Sequence, residues 1–280
     1  MLLKDFKDRF NSELSDLFPK TEINSFFYVL IAHELGLQRI DLVLNNQYNI
    51  PKEKKQPLQD ALTRLKAQEP IQYILQETEF YGFPFKVTKD TLIPRPETEE
   101  LVEWIISDYK NKDTLSILEI GTGSGCIPIA LAKHLPNATI SSIDISENAL
   151  AIAKENALVN EVSVHFIAQN ILTTHALDQA YDIIVSNPPY VRELEKVEIK
   201  PNVLENEPHL ALFVDDATPL LFYSKIADLA EKSLKKQGAL YFEINQYLGK
   251  ETTEMLSKKG FTTNLRQDIF GNDRMTKSVL

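Results

Sequence analysis

Two short stretches of this 280-residue chain carry the groups most readily put to chemical use. One is Asn187-Pro188-Pro189-Tyr190, which follows the apolar run YDIIV and Ser186; the other is Gly121-Thr122-Gly123-Ser124-Gly125, directly after LSILEI. A strand does not continue through two prolines, because each lacks a backbone donor and fixes its own φ. The sheet therefore stops where an amide, two stiff residues and a phenol arrive together. Asn187 offers a side-chain carbonyl, and Pro188 a backbone carbonyl with no competing local amide. Two convergent acceptors suit a planar NH2 group, as in a carboxamide or an exocyclic base amine. Tyr190 would flank that group as an aromatic wall. Accepting both N–H bonds pushes electron density onto a nitrogen whose lone pair is otherwise delocalised, and it fixes the direction of attack. Positioning alone can remove ~7–11 kcal/mol from a barrier in the best cases. A structural double-proline exit would account for the prolines but leave Asn187 and Tyr190 incidental.

Glycines at a strand-to-helix junction let the backbone turn tightly and let a ligand approach it closely. The full G-x-G-x-x-G fingerprint is absent, since the sixth position is Cys126, and there is no Lys-Ser/Thr pair of a phosphate-binding loop. What remains is a nucleoside-type cofactor lying across Gly121 to Gly125. One strand later, TISSIDIS places Asp144 at the carboxyl edge of a sheet, where ligands sit. A carboxylate there can accept both hydroxyls of a ribose, or it can cap the helix beginning near Glu147. Asp144 alone does not separate a nicotinamide cofactor from a sulfonium one; the missing last glycine tilts toward the sulfonium. Glu119, two residues before the loop, is costly at a strand end unless paired, and the cationic ammonium of an amino-acid-bearing nucleoside suits it. In AQNIL, Asn170 is placed to accept from an adenine amino group, and Ile171 to wall the ring. The strand YDIIV ends at the same sheet edge as the glycine loop, so Asn187 to Tyr190 face the reactive end of the cofactor. A sulfonium methyl carbon needs no general acid, because neutral thioether already leaves readily. The lack of a His–Asp or Cys–His pair near Asn187 fits that chemistry, and the five histidines form no metal-spaced motif.

These stretches need a sheet to hold them. From LSILEIG onward, apolar strand candidates alternate with amphipathic helices, the signature of an α/β fold with a mostly parallel sheet covered on both faces. The tail FTTNLRQDIFGNDRMTKSVL reads as a β-hairpin closing that sheet with an antiparallel strand. The first seventy-odd residues are helical instead: Phe6, Phe10, Leu14 and Leu17 fall on one face, and Phe26, Phe27, Leu30 and Ile31 form a second set ending at Gly36. RIDLVLNNQ reads as a short helix, Pro57 to Gln68 as another, and the stretch from Ile71 as a hairpin with Gly82 and Pro84 as turn candidates. The expected organisation is a helical domain over residues 1–75, a hairpin linker over 76–95, and the sheet domain over 96–280.

Composition narrows the class. Thirty basic against forty acidic residues leave a formal charge of -10, which argues against a protein whose main task is to hold a phosphate backbone. A single cysteine, Cys126, excludes an internal disulfide framework and a clustered-thiolate zinc site. No segment has the form of a secretory signal or a membrane span, so a cytoplasmic protein is expected.

With these residues in view, the chain closely resembles the class I S-adenosylmethionine-dependent methyltransferases. Within them it resembles the protein-(glutamine-N5) methyltransferases that modify bacterial peptide chain release factors. FYGFPFKVTKDTLIPRPETEELVE, EIGTGSGCIPIALA, DISENALAIAKENA, IIVSNPPYV, ENEPHLAL and IFGNDRMT stand in the family's order. NPPY is shared with adenine-N6 and other amine methyltransferases; LIPRPETE is the more specific element. The resemblance implies a Rossmann-like, seven-stranded methyltransferase domain preceded by a small helical bundle and a linking hairpin. It also implies S-adenosyl-L-methionine as cofactor, S-adenosyl-L-homocysteine as product, and no metal. Gly121 to Gly125 would line its methionine and ribose portions, Asp144 would bind the ribose, and Asn170 with Ile171 would lie by the adenine. Asn187 and Pro188 would orient the substrate glutamine amide, with Pro189 and Tyr190 bordering the same pocket. Arg95 and Glu207 are further substrate-side candidates, although PRPE can equally start a helix and Glu207-Pro208 can cap a loop. The implied partners are stop-codon-reading release factors, met by a monomeric enzyme through their Gly-Gly-Gln loop, with no stable nucleic-acid partner and no membrane. An adenine-N6 nucleic-acid methyltransferase and a non-catalytic descendant are the competing readings. Asn170 departs from the family's commoner acidic residue, and FVDDATPLLFY and EINQ depart from its commoner loop patterns.

Overall fold

The computed structural model describes residues 1–44 and 47–280 and divides them into two compact units. One comprises Met1–Gln76 with Lys200–Asn206; the other comprises Glu77–Ile199 and Glu207–Leu280. The chain thus passes between units at three points, and a seven-residue segment expected in the sheet domain groups with the helices. Asn206 donates to the Gln68 carbonyl at 3.2 Å, and Lys200 reaches Glu22 at 3.4 Å.

In the helical unit, α1 (Leu3–Leu14) buries Leu3, Phe6, Phe10 and Leu14, an i, i+3/i+4 stripe. Leu17 does not join that face: it follows the helix and is exposed. In α2 (Lys20–Leu35) Ile23, Phe27, Leu30 and Ile31 are buried, and Gly36 ends the helix in the left-handed region at φ 66°. The helix expected in RIDLVLNNQ is α3 (Arg39–Leu44); Asn45 and Asn46 lie outside the described residues. The next helix, α4 (Lys52–Lys66), starts five residues before Pro57, where the sequence pointed. Its first turn is polar and carries no apolar period. Leu58, Ala61, Leu62 and Leu65 supply the buried face. Ile71 opens a short helix, α5 (Ile71–Leu75), not a strand; Gln76 at φ 58° stops it.

The second unit begins with a hairpin of β1 (Glu77–Phe80) and β2 (Phe83–Lys86). Tyr81 and Gly82 form its two-residue turn, both at positive φ (52° and 78°), the geometry that matches strand twist in tight hairpins. Pro84 lies inside β2 opposite Glu79, not in the turn. After α6 (Pro96–Tyr109), the chain alternates β3 (Leu115–Ile120), α7 (Cys126–His134), β4 (Ala138–Asp144), α8 (Glu147–Val159), β5 (His165–Ala168) and β6 (Tyr181–Ser186). Two-residue strands β7 (Val191–Arg192) and β8 (Phe213–Val214) pair with each other. Between them lie the single turns α9 (Pro201–Leu204, in the helical unit) and α10 (His209–Leu212). The chain ends with α11 (Leu221–Ser233), β9 (Leu234–Glu243), α12 (Gly249–Lys258), β10 (Thr262–Gln267) and β11 (Asp273–Val279).

Seven strands form one sheet in the order β10-β11-β9-β6-β3-β4-β5. The inner pairs are parallel; β11 runs antiparallel to both β9 and β10, the expected closing hairpin. One apolar cluster gathers Ile117, Ile183 and Tyr241 with Leu101, Ile105 and Leu131 of α6 and α7. The other gathers Leu118, Ile184 and Leu240 with Ile226, Ala230 and Leu256 of α11 and α12. Alternate residues of each strand thus feed opposite faces, as a sheet covered on both sides requires. The hairpin belongs to this unit. Phe80 and Phe85 enter the first cluster, and Asn156 of α8 both accepts from Lys86 N (2.7 Å) and donates to Lys86 O (2.9 Å). Among the described residues no helix is long and apolar enough to cross a membrane.

Candidate active site

Strand register brings the chemical residues together. Ile120 of β3 pairs with Ile143 of β4 and with Ser186 of β6, and Ser186 pairs with Phe242 of β9. One residue further along each strand stand Asp144, Gly121, Asn187 and Glu243, in a single row across the carboxyl edge. The Ser186 hydroxyl donates to the Ile120 carbonyl at 2.6 Å, clamping the row where β3 and β6 end. This is also where connections leave β3 and β6 in opposite directions, the crevice that open parallel sheets use for ligands. A cavity of about 430 Å³ opens there. Asn187, Pro188 and Pro189 line it together with Gly121 through Ser124. Asp144, Asn170, Ile171 and Arg95 complete the expected residues found on its wall.

The glycine loop is shaped for close approach. Gly121, Gly123 and Gly125 all have positive φ (94°, 51° and 82°). A Cβ on Gly121 would come 3.5 Å from the Asn187 carbonyl oxygen, so the two loops touch at backbone distance. Gly125 serves differently from the expectation. It does not line the cavity; a Cβ there would meet Ile129 and Ala153 at 3.0 and 3.1 Å, so its bareness lets α7 close on α8. Asp144 accepts from Gly123 N at 2.9 Å and from Ser146 N at 2.8 Å, while Ser146 itself caps α8 through Ala149 N. The carboxylate therefore fixes the loop, and each oxygen keeps lone pairs for a ligand diol.

Glu119 lies beneath this loop, fully buried and off the cavity wall. Its Oε2 accepts from the Ser142 hydroxyl, which is itself bonded to Thr122 Oγ1, and its Oε1 has no partner. Burial pushes the carboxyl up to about 8. An orphaned carboxyl oxygen under a glycine cradle, next to an aspartate with free lone pairs, fits a nucleoside with a cationic amino-acid tail. Asn170 Oδ1 accepts from Leu172 N at 2.9 Å to cap the turn Ile171–Thr173, which leaves that oxygen one lone pair and the NH2 group its donors for a ligand ring. Among the described residues no group of three or more His, Cys, Asp or Glu side chains is placed to hold a metal ion.

On the acceptor side, Asn187 Nδ2 donates to Thr98 Oγ1 at 3.4 Å, and its Oδ1 has no donor among the described residues. Tyr190 is not on the cavity wall. Its phenol donates to Glu243 Oε1 at 3.0 Å and its ring joins the second apolar cluster, because a long aromatic four residues past the strand reaches back over β9. Glu207 is off the wall too: buried, it accepts from Ile93 N at 3.1 Å and from Arg95 Nη2 at 2.5 Å. That pair pins the PRPE segment, so the loop-capping alternative describes Glu207 and the cavity claims Arg95. Thr98, Glu243 and Asn156 escaped the sequence reading. Asn156 ties the glycine loop to the hairpin through Ser124 O at 2.8 Å. A polar residue on the apolar side of the ENALAIAKENALVN helix was the available signal.

Two family profiles match the chain: "Methyltransferase small domain" over residues 99–211 and "PrmC N-terminal domain" over residues 12–75. A release factor glutamine methyltransferase of Flavobacterium psychrophilum is 56% identical, covering 99% of each chain. Those of Bacteroides thetaiotaomicron and Streptococcus pneumoniae are 43% and 39% identical, over 94% and 98% of this chain and 94% and 97% of theirs. Among solved structures, a methyltransferase from Pyrococcus furiosus superimposes with a TM-score of 0.51 at 18% identity, over 79% of this chain and 95% of its own, which shows the shared fold. The chain belongs to the release factor glutamine methyltransferase family, within the class I S-adenosylmethionine-dependent methyltransferases.

Proposed function

We propose that this enzyme transfers the methyl group of S-adenosylmethionine to the side-chain nitrogen (N5) of the glutamine in the Gly-Gly-Gln motif of bacterial peptide chain release factors. The observation that carries this reading is the free Oδ1 of Asn187 on the cavity wall, one row position from the glycine loop. Together with the Pro188 carbonyl it offers two acceptors to one NH2 group and none of the donors that a substrate carbonyl would require. The bound cofactor supplies an electrophilic methyl carbon on a cationic sulfur. Gly121 to Ser124 and Asp144 would hold its ribose and methionine portions, Glu119 would face the ammonium, and Ile171 would wall the adenine with the Asn170 amide donating to it. Asn187 and Pro188 would fix the glutamine NH2 with its lone pair toward the methyl carbon. The proline-locked backbone keeps that aim without any reorganisation during attack. No side chain need take the proton beforehand, because the nitrogen becomes acidic only as its new bond forms.

Arg95, held by Glu207 at the cavity rim, would bind the acceptor's backbone side. The helical unit would dock the release factor, and the chain's formal charge of -10 suits a protein partner better than a nucleic acid. The enzyme would act as a monomer in the cytoplasm, where translation terminates. The test is direct: incubate the protein with labelled cofactor and purified release factor, then map the label by mass spectrometry. Label on the Gly-Gly-Gln glutamine is expected. Label elsewhere, or on single-stranded nucleic acid with that peptide untouched, would overturn the assignment.

A further inference from the structure

We propose that Thr98 and Glu243 are positioning residues that set which end of the Asn187 amide faces the acceptor. The row that places Asn187 beside Gly121 also places Glu243 on its other side, at the end of β9. Glu243 is buried, and both its oxygens are taken: Oε2 accepts from Thr98 Oγ1 at 2.6 Å and Oε1 from the Tyr190 hydroxyl at 3.0 Å. A carboxylate has acceptors only, so it commits the Thr98 proton to itself. The Thr98 oxygen is thereby left as an acceptor toward Asn187, and it meets Nδ2 at 3.4 Å. With its NH2 held inward, the Asn187 amide turns its carbonyl oxygen to the cavity. The hydrogen-bond polarity thus runs one way, from Asn187 through Thr98 to Glu243. An amide side chain has two nearly isosteric orientations, and the wrong one would present an NH2 to the substrate NH2. Burial raises the Glu243 carboxyl above its ordinary value, against which the bonds from Thr98 and Tyr190 and the charge of Arg274 favour the ionised form. Asn245 holds the same loop by donating to the Tyr190 carbonyl at 3.0 Å and to Glu195 at 2.9 Å. The glutamate and asparagine of the unusual EINQ segment are therefore its two braces on the acceptor loop.

The decisive variant is Glu243→Gln. Its side chain can accept from Tyr190 with its oxygen and must then donate its NH2 to Thr98. That reverses the Thr98 proton toward Asn187 and favours the flipped amide. Thr98→Val removes the relay without changing volume, and Thr98→Ser restores it. The proposal rests on glutamine methylation as the reaction, so the parent enzyme is assayed first with cofactor and release factor. An inactive parent would sink that reading of the function and this proposal with it. With an active parent, Glu243→Gln and Thr98→Val should lower kcat at least tenfold. KM for the release factor, calorimetric cofactor Kd and melting temperature should stay near the parent values, and Thr98→Ser should recover most of kcat. A kcat within twofold of the parent in both Glu243→Gln and Thr98→Val would overturn the relay alone. So would losses that track cofactor Kd or melting temperature, or a Thr98→Ser variant as impaired as Thr98→Val.

Discussion

Glu119→Gln should make the ligand-free protein more stable at neutral and alkaline pH while weakening its grip on the cofactor. The parent carboxyl is wholly buried, and burial raises it from an ordinary 4.5 to about 8; the Ser142 bond opposes that rise and the Asp144 charge adds to it. A folded-state value above the unfolded one means that the folded chain binds the extra proton between them. Stability therefore falls as pH climbs from about 4.5 to about 8, and this group contributes no slope outside that window. At ~1.4 kcal/mol per unit the whole window amounts to about 5 kcal/mol, with about 3 kcal/mol of it gone by pH 7. Glutamine keeps an acceptor for Ser142 and titrates nothing. The stability difference, variant minus parent, should accordingly be near zero at pH 4.5 and grow to several kcal/mol by pH 8. Urea unfolding of both proteins without cofactor, at four pH values across the window, measures it. A difference that stays constant with pH would refute the buried-carboxyl argument. The loaded protein supplies an independent check. A cationic ammonium near Oε1 should ionise Glu119, so cofactor binding to the parent below pH 8 should release a proton. That release is seen as a binding enthalpy that depends on the buffer's ionisation heat, and the variant should show none of it.

The remaining substitutions separate the two halves of the site. Asn187→Ala should reduce kcat by about 10²-fold, the scale of losing a positioned contact at the reacting group, while cofactor Kd measured by calorimetry changes little. Asp144→Ala should act first on the cofactor: two charge-assisted bonds to the ribose, each ~1.5–3 kcal/mol, correspond to a Kd raised at least ~10²-fold. Its loop also loses the anchor of Gly123 N, so the effect should exceed that of Asp144→Asn in the same titration. Asn156→Ala strands the Lys86 amide and the Ser124 and Lys86 carbonyls, and should destabilise the protein by about 1–3 kcal/mol or more per buried group left unpaired, read as a lower melting temperature.

The glycine loop, Asp144 and Asn187 were legible because each ends or directly follows a strand, and strand ends in an alternating α/β chain converge on one edge. What put Gly121, Asn187 and Glu243 on the same row was not legible, since ladder register is a contact between segments more than fifty residues apart. Thr98 looked like part of a helix start because its partner Asn187 lies 89 residues away. Tyr190 was read as a pocket wall from its type; its phenol instead follows a buried carboxylate, and the sequence had marked Glu243 only as part of an odd segment. Turn chemistry failed in a similar way. Gly82 announced its left-handed conformation, but nothing about a tyrosine announces that of Tyr81, which a tight hairpin imposes on both turn residues. Pro57 looked like a helix start and lies inside α4, because the helix's polar first turn has no period to reveal it.

Where the chain departs from its family's commoner pattern, the row explains what the departures touch. Asn170 stands two residues beyond Ala168, the partner of Asp144 on β5, and caps a turn of its own. The FVDDATPLLFY stretch holds the short strand β8 and the first turn of α11, neither of them on the row, although Phe222 reaches the cavity wall. The distance between the cofactor loop and the acceptor amide is set elsewhere, by the β3–β6 ladder and the Ser186–Ile120 bond. Because a strand's side chains alternate faces, a one-residue slip in that ladder would exchange the side chains of β3 or β6 between the two apolar clusters, each packed for the other set. Core burial on both faces therefore holds the register, and the register in turn holds Gly121 against Asn187. Segments off the row are free to vary in sequence because the sheet's core fixes the approach of Gly121 to Asn187, whereas Glu243 and Asn245 hold the Asn187–Tyr190 loop itself.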